Sequence, residues 1–263
     1  MKVLQIASGS KGNATFIQSL NTNILIDCGI SKKRISDALD DAHHLIEDLD
    51  AILITHEHTD HISGLLPLYR GTSAKIYITE ATFNALPIKT KEALSLDRIV
   101  FITNSLVFNI KDIIVESIQI FHDAADPCGF VLRAEGKKVV YITDTGYVHE
   151  AFLPKLKGAD LYIFEANHDP EILMNSDRPY NTKIRILSDH GHLSNEDSAF
   201  LMSKLITENT KYILLAHLSE ECNIPDLAIA TYQNVFASLK QTFYGALLKC
   251  CSQIPLKEIS LWK

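Results

Sequence analysis

The sequence contains no C-x-x-C pair. Its five cysteines stand at Cys28, Cys128, Cys222, Cys250 and Cys251, an odd number at irregular spacing. That pattern excludes a zinc ribbon or a disulfide framework as the organising principle. No apolar run is long enough to cross a bilayer, and the first residues lack the apolar core of a signal peptide. The expectation is a cytoplasmic protein with no membrane partner. Internal repeats and low-complexity segments are missing too. So is an excess of positive charge: the formal net charge is −7. General nucleic-acid affinity is therefore not signalled, although a local basic patch or bound cations can override a total. What is present is a chain of 263 residues, 46% of them hydrophobic. That is enough for a sizeable core, and we expect one domain over residues 1–263.

The chemistry concentrates in Thr55-His56-Glu57-His58-Thr59-Asp60-His61. The apolar run before it, 51–54, reads as a buried strand, and the pattern after it, 62–68, as a short helix. A turn anchored at both ends can aim several side chains at one point. His56 and His58 are two apart, so an extended backbone projects them to one side. Asp60 and His61 diverge unless the chain bends between them at the helix start, where Asp60 suits an N-cap. Ligands placed in two such pairs can serve two metal ions side by side.

Later strands repeat the theme. Apolar runs at 113–121, 139–143, 161–164 and 211–216 end in His122, Asp144, Glu165 and His217. Strand ends on one edge of a layered sheet converge, so these residues can share a site. Asp27 follows the buried run Ile24-Leu25-Ile26, and a carboxylate there needs hydrogen bonds or a nearby charge. His190 and His192 precede Ser194, which with Asp197 resembles a capping box ahead of an amphipathic helix at 199–206. The loop 8–13 reads equally well as an N–H cradle for an anion or as a plain turn. Ser31 suits an N-cap, and Lys32, Lys33 and Arg34 in the first turn form either a solvated face or a phosphate-contacting edge. His43 and His44 read as surface residues. A long helix is expected at 225–239, followed by an apolar tail, 247–263, to which no role is assigned.

The segment from His56 to His61 resembles the H-x-H-x-D-H motif of the metallo-β-lactamase superfamily of dinuclear hydrolases. The resemblance covers most of the chain. It implies an α/β fold, the αββα four-layer sandwich, with the site at the edge of two sheets. By residue matching it implies that His56, His58 and His122 hold one metal and that Asp60, His61 and His217 hold the other. Asp144 would bridge them, and Asp27 would support the loop from beneath. The two divalent ions implied are zinc, which suits imidazoles, or manganese, which suits carboxylates.

More narrowly, the chain is similar to the YycJ/WalJ-type branch, described as 5′-to-3′ exonucleases on DNA. The shared segments include Ser8-Gly9-Ser10 with Gly12-Asn13, Leu25-Ile26-Asp27-Cys28-Gly29 and His122-Asp123-Ala124. They also include Thr143-Asp144-Thr145-Gly146, Glu165-Ala166-Asn167-His168-Asp169, Gly191-His192-Leu193-Ser194-Asn195 and Ala216-His217-Leu218-Ser219. Cys222-Asn223 departs from the Asn-Asn often found in that branch, which bears on packing more than on chemistry. The Glu165 and His192 segments further resemble the proton-shuttle pair of RNase Z enzymes.

The resemblance implies a metal-dependent phosphodiesterase that degrades DNA in preference to RNA. In that reading a hydroxide shared by the metals attacks phosphorus, and Asp60 orients it and takes its remaining proton. His192 protonates the departing 3′ oxygen, with Glu165 holding its tautomer. Ser8, Ser10, Asn13, Lys32, Lys33 and Arg34 would position the strand. The alternative is a small-molecule hydrolase of the same fold acting on a cyclic phosphodiester, thioester or lactam, since the metal loop is the same in these. The Glu165–His192 pair favours a phosphodiester. A metal-stabilised binding module is disfavoured, because structural zinc sites are usually closed by four protein ligands.

Overall fold

The computed structural model describes residues 1–262; Lys263, the last residue of the expected tail, lies outside them. Two seven-stranded sheets face one another. The first holds β1 (Lys2–Ala7), β2 (Ala14–Gln18), β3 (Asn23–Ile26), β4 (Ala51–Leu53), β5 (Lys75–Thr79) and β6 (Ile99–Ile102). The second holds β7 (Val107–Ile110), β8 (Ile113–Gln119), β9 (Cys128–Ala134), β10 (Lys137–Ile142), β11 (Leu161–Glu165), β12 (Tyr212–Ala216) and β13 (Leu247–Cys250). The short β14 (Ile259–Ser260) returns to the first sheet beside β1. Helices α1 (Lys32–Asp41), α2 (Thr59–Ile62), α3 (Leu65–Gly71), α4 (Glu80–Ala85) and α5 (Ile88–Ala93) belong to the first half. Helices α6 (Leu153–Leu156), α7 (Pro170–Asn175), α8 (Tyr180–Ile186), α9 (Asn195–Leu205) and α10 (Pro225–Ser238) belong to the second.

The layering follows from the two-residue period of a strand. Ile24, Ile26, Ala51 and Leu53 point into the space between the sheets, where they meet Val115, Phe130, Leu132, Tyr141 and Ile163. The alternate residues Leu25, Ile52, Ile76 and Ile78 point outward and pack on Ile35 and Leu39 of α1 and Leu65 and Leu68 of α3. On the far side Val140, Ile142, Tyr162 and Phe164 pack on Met202 and Leu205 of α9 and Tyr232 and Phe236 of α10. Strands apolar on both faces must be covered on both faces. The outcome is helix, sheet, sheet, helix, the expected αββα sandwich.

Pairing direction sets where the site falls. β3, β4 and β5 run parallel, and so do β10, β11 and β12. Their C-terminal ends therefore share one edge of each sheet.

Three local expectations change. The helix expected at 62–68 is two helices, α2 and α3, broken at Gly64. That residue has no room for a side chain: a Cβ there would sit 2.2 Å from the Ile30 carbonyl oxygen. The N-cap of α2 is His58, so Asp60 lies inside the first turn instead of capping it. His44 is buried, its ring 4.7 Å from that of Phe16 and its Nε2 against Glu258, because the tail covers it. His43 is exposed as expected.

The tail acquires a structural role. It adds β13 to one sheet and β14 to the other, and it places Cys251, Ile259 and Leu261 in the core between them. On the way Gln253 donates to the carbonyls of Ser8 (3.1 Å) and Gly12 (2.9 Å), bracing the loop after β1. No helix among the described residues is long and apolar enough to cross a membrane. Removing the Leu261 side chain should therefore open a cavity between the sheets. Leu261→Ala is expected to cost about 3 kcal/mol and to lower Tm by roughly 6–12 °C in a thermal melt. An unchanged Tm would mean that the tail is not part of the core.

Candidate metal centre

Six strands, β3, β4, β8, β10, β11 and β12, deliver side chains to the shared edge, and three of them are followed by a left-handed residue. Asp27 after β3, Asp144 after β10 and His217 after β12 have φ of 57°, 58° and 56°. Such a conformation costs about 1–2 kcal/mol for a residue with a Cβ. Here it turns each side chain off its strand and into the cluster. Gly29 makes the arrangement possible from behind, since a Cβ there would lie 1.5 Å from the Asp60 carbonyl oxygen.

The donors gather in overlapping groups. Ligand atoms of His56, His58 and His122 lie within 4.8 Å of one another, and so do those of Asp60, His61 and His217. Asp144 sits between the groups: its Oδ2 is 3.4 Å from His61 Nε2 and its Oδ1 is 3.2 Å from His217 Nε2. Asp60 Oδ2 is 3.5 Å from His61 Nε2 and 3.6 Å from His217 Nε2.

Outer hydrogen bonds fix which ring nitrogen faces inward. His61 Nδ1 donates to Asp27 Oδ2 at 2.8 Å, and His56 Nδ1 meets Thr55 Oγ1 at 3.0 Å. His122 Nδ1 donates to the Gly191 carbonyl at 3.1 Å, and His217 Nδ1 meets Glu165 Oε1 at 3.2 Å. This is how metal-binding imidazoles are held.

The inward atoms test whether metals fit. Buried His56 Nε2, His217 Nε2 and Asp144 Oδ2 have no hydrogen-bond partner among the described residues. Each orphan would cost about 1–3 kcal/mol, and together they converge on one place. Imidazole nitrogens and carboxylate oxygens, aimed inward and unpaired, define a dinuclear site for divalent cations. Proton chemistry agrees. Burial would lower His217, yet the carboxylates of Asp144, Asp60 and Glu165 outweigh it and raise its pKa to about 10. Burial would raise Asp60, yet the neighbouring His217 and His61 imidazoles hold it well below the usual carboxylate range. The cluster thus draws positive charge strongly, and divalent ions compete with protons for it.

Beside this cluster stands a second arrangement. Glu165 is fully buried. Its Oε2 accepts from the backbone N–H of Thr145 (2.8 Å) and Leu193 (3.3 Å), and its Oε1 accepts from His192 Nδ1 at 2.8 Å. Burial would push its carboxyl up, but His192 and His217 outweigh that and hold it well below the ordinary range. Glu165 therefore orients two histidines, where the sequence pointed to one. His192 stacks on His217 with ring centroids 5.2 Å apart and faces a cleft of about 160 Å³. Ser10, Ser219, Arg178 and Arg185 complete the wall of that cleft.

The residues expected to position a substrate are dispersed. Ser8 is buried and its Oγ accepts from the His217 backbone N–H at 2.8 Å. Asn13 is buried, accepting from Gly9 N–H at 2.9 Å and placing its Nδ2 3.0 Å from His61 Nε2. The loop's Gly12 and Asn13 N–H groups donate to Gly9 and Asp60 carbonyls, as in a bonded turn. Ser10 alone among these residues lines the cleft. Lys33 pairs with Asp37 at 2.6 Å, Arg34 donates to the Gln253 carbonyl at 2.7 Å, and Lys32 packs over Gly71. None of the three lines the cleft, so the basic edge expected beside the metal loop faces elsewhere. The cleft's arginines carry no sequence signal of their own, Arg178 lying in the turn between α7 and α8 and Arg185 in α8, both away from any strand end.

The family model of a beta-lactamase superfamily domain matches residues 22–217. The chain belongs to the metallo-β-lactamase superfamily and is a metal-dependent hydrolase of that fold. It is 40% identical to the exodeoxyribonuclease YycJ of Bacillus anthracis over 223 residues, 85% of this chain and 84% of that protein. It is 41% identical to the exodeoxyribonuclease WalJ of Streptococcus pneumoniae over 235 residues, 88% of this chain and 87% of that one. Among solved structures it is similar to the metallo-β-lactamase fold protein YhfI of Bacillus subtilis. There the TM-score is 0.71 at 18% identity, covering 97% of this chain and 99% of the other, a likeness of fold.

The hydrogen bond from His61 to Asp27 gives a direct test of metal affinity. Asp27→Asn keeps the shape but removes the charge behind His61. It should weaken binding about 10- to 100-fold in a chelator competition. Affinity equal to that of the parent would show that Asp27 serves the backbone alone.

Proposed function

We propose that this chain is a 5′-to-3′ exonuclease on DNA, with His56, His58 and His122 holding one divalent ion and Asp60, His61 and His217 the other. Asp144, between the two groups, would be shared by both ions. The histidines favour zinc, and the three-carboxylate environment of Asp60, Asp144 and Glu165 keeps manganese a competitor. The observation that carries the reading is the Glu165–His192 pair, hydrogen-bonded at 2.8 Å and set beside the cluster. Amide or thioester hydrolysis has less use for such a pair than phosphodiester hydrolysis, where an alkoxide must leave. The names of the two exodeoxyribonuclease relatives support DNA as the substrate.

When bound, the ion pair supplies an activated water and neutralises charge on the non-bridging phosphoryl oxygens. The protein does the rest. Asp60, with its side chain 24% exposed at the mouth of the cluster, orients the attacking water. His192 donates the proton that the departing 3′ oxygen needs. Glu165 accepts from Nδ1 of that ring, which leaves Nε2 for the transfer, and its negative charge stabilises the imidazolium before donation. The backbone donors Thr145 and Leu193 hold Glu165 in place, so the pair is set before substrate arrives. Ser10 keeps its place as a contact to the strand. Ser8 and Asn13 act through His217 and His61.

Release of nucleotides from 5′-phosphorylated DNA and from RNA, with manganese and with zinc, tests the proposal. We expect 5′-mononucleotides from DNA. Turnover of bis-p-nitrophenyl phosphate with DNA left intact would point to a small phosphodiester instead. His192→Ala should lower kcat about 100- to 10,000-fold with metal content unchanged by elemental analysis. Parallel loss of metal would make His192 a ligand and not a proton donor.

A further inference from the structure

We infer that residues 170–187, which carry α7 and α8, form a clamp for one strand of nucleic acid, with backbone phosphates on Arg178 and Arg185 and a base stacked on Tyr180. This rests on the nuclease reading and extends it from the reacting phosphorus to the neighbouring nucleotides. The cleft of about 160 Å³ takes a phosphodiester and little more, so the flanking nucleotides must lie over its rim.

Charge is the first argument. The chain carries −7, and the cleft wall contains Asp60, Asp123 and Asp144. Both arginines of that wall come from this one segment. Each is held by a carboxylate: Arg178 by Glu221 at 2.9 Å and Arg185 by Asp123. Glu221 is 68% exposed and Arg185 is 53% exposed, so both ion pairs are weakly held in water. A phosphate offers the same two-oxygen face to a guanidinium as a carboxylate does. Exchange of one for the other keeps each arginine oriented.

Rigidity is the second. Lys183, the third cation of the segment, is not free for phosphate. Its Nζ donates to the carbonyls of Met174 (2.8 Å) and Ser176 (2.6 Å), tying α8 back to the end of α7. At the other end Asp169 Oδ1 caps α7, accepting from Glu171 and Ile172 N–H at 3.0 Å. The turn that carries Arg178 is thus fixed on both sides.

The third is Tyr180. It opens α8, two residues after Arg178 and five before Arg185, and is 67% exposed. Ile184, four residues on and on the same helix face, extends the apolar surface. The two arginines bracket Tyr180 in sequence, and cationic side chains combined with an exposed aromatic ring are what a single strand uses, phosphates on the charges and a base on the ring.

The test compares two substrates of the metal-loaded full chain, a 5′-phosphorylated DNA oligonucleotide and bis-p-nitrophenyl phosphate. Tyr180→Ala should lower kcat/KM on the oligonucleotide roughly tenfold or more. Tyr180→Phe should restore it, and both variants should turn over the small diester as the parent does. Arg178→Ala and Arg185→Ala should each flatten the slope of log kcat/KM against log salt by about 0.7. The clamp is refuted if Tyr180→Ala leaves the oligonucleotide rate unchanged or slows both substrates alike. A change of oligomeric state on gel filtration would refute it too, making this face a protein interface. A parent protein that hydrolyses the small diester but spares DNA refutes the nuclease reading itself, and so is told apart from failure of the clamp alone.

Discussion

The site depends on one buried carboxylate. Asp27 is fully buried and accepts four hydrogen-bonding groups. Thr55 N–H (2.9 Å) and Thr55 Oγ1 (2.9 Å) fix the start of the metal loop. His61 Nδ1 (2.8 Å) fixes its end. Tyr141 Oη (3.4 Å) reaches across from the facing sheet. A buried charge left unpaired is costly, so the loop between Thr55 and His61 must close around Asp27 for the fold to be stable. Closing it aims His56, His58 and Asp60 at a common point. Stability of the core and geometry of the site are thus the same requirement.

The second constraint is electrostatic. Parallel strands bring their C-terminal ends together, and here those ends carry Asp144, Glu165 and His217 beside the loop's Asp60. The backbone has been bent into left-handed turns at three positions to do so. Local strain and converging charge disfavour the arrangement on its own. Cations offset both, which ties the folded edge to its metals and its metals to hydrolysis. Glu165 links the halves of the site, since one of its oxygens serves both the buried His217 and the half-buried His192.

Much of this was legible in the sequence, for a specific reason. A polar side chain that directly follows an apolar run is placed by the strand itself, so His122, Asp144, Glu165 and His217 could be read as convergent without knowing the sheet order. The two-residue spacing of His56 and His58 was equally direct. What was not legible depends on contacts distant in sequence. Lys32, Lys33 and Arg34 follow a helix cap beside the site, but α1 turns them toward Asp37, Gln253 and Gly71. His44 is buried by a tail residue more than two hundred positions away. Asp60 has a capping residue's chemistry, yet α2 already starts at Thr59 with His58 as its N-cap, which leaves Asp60 inside the first turn. Arg178 and Arg185 reach the cleft because the segment between Glu165 and His192 folds back over it, which no local pattern announces.

Anomalous diffraction from crystals loaded with zinc or manganese tests the central claim most directly. The account predicts two peaks per chain. One lies among His56, His58 and His122, and the other among Asp60, His61 and His217. Asp144 touches both, at ligand distances of about 2.0–2.2 Å. A single peak, or peaks that leave His122, Asp144 and His217 uncoordinated, would contradict it.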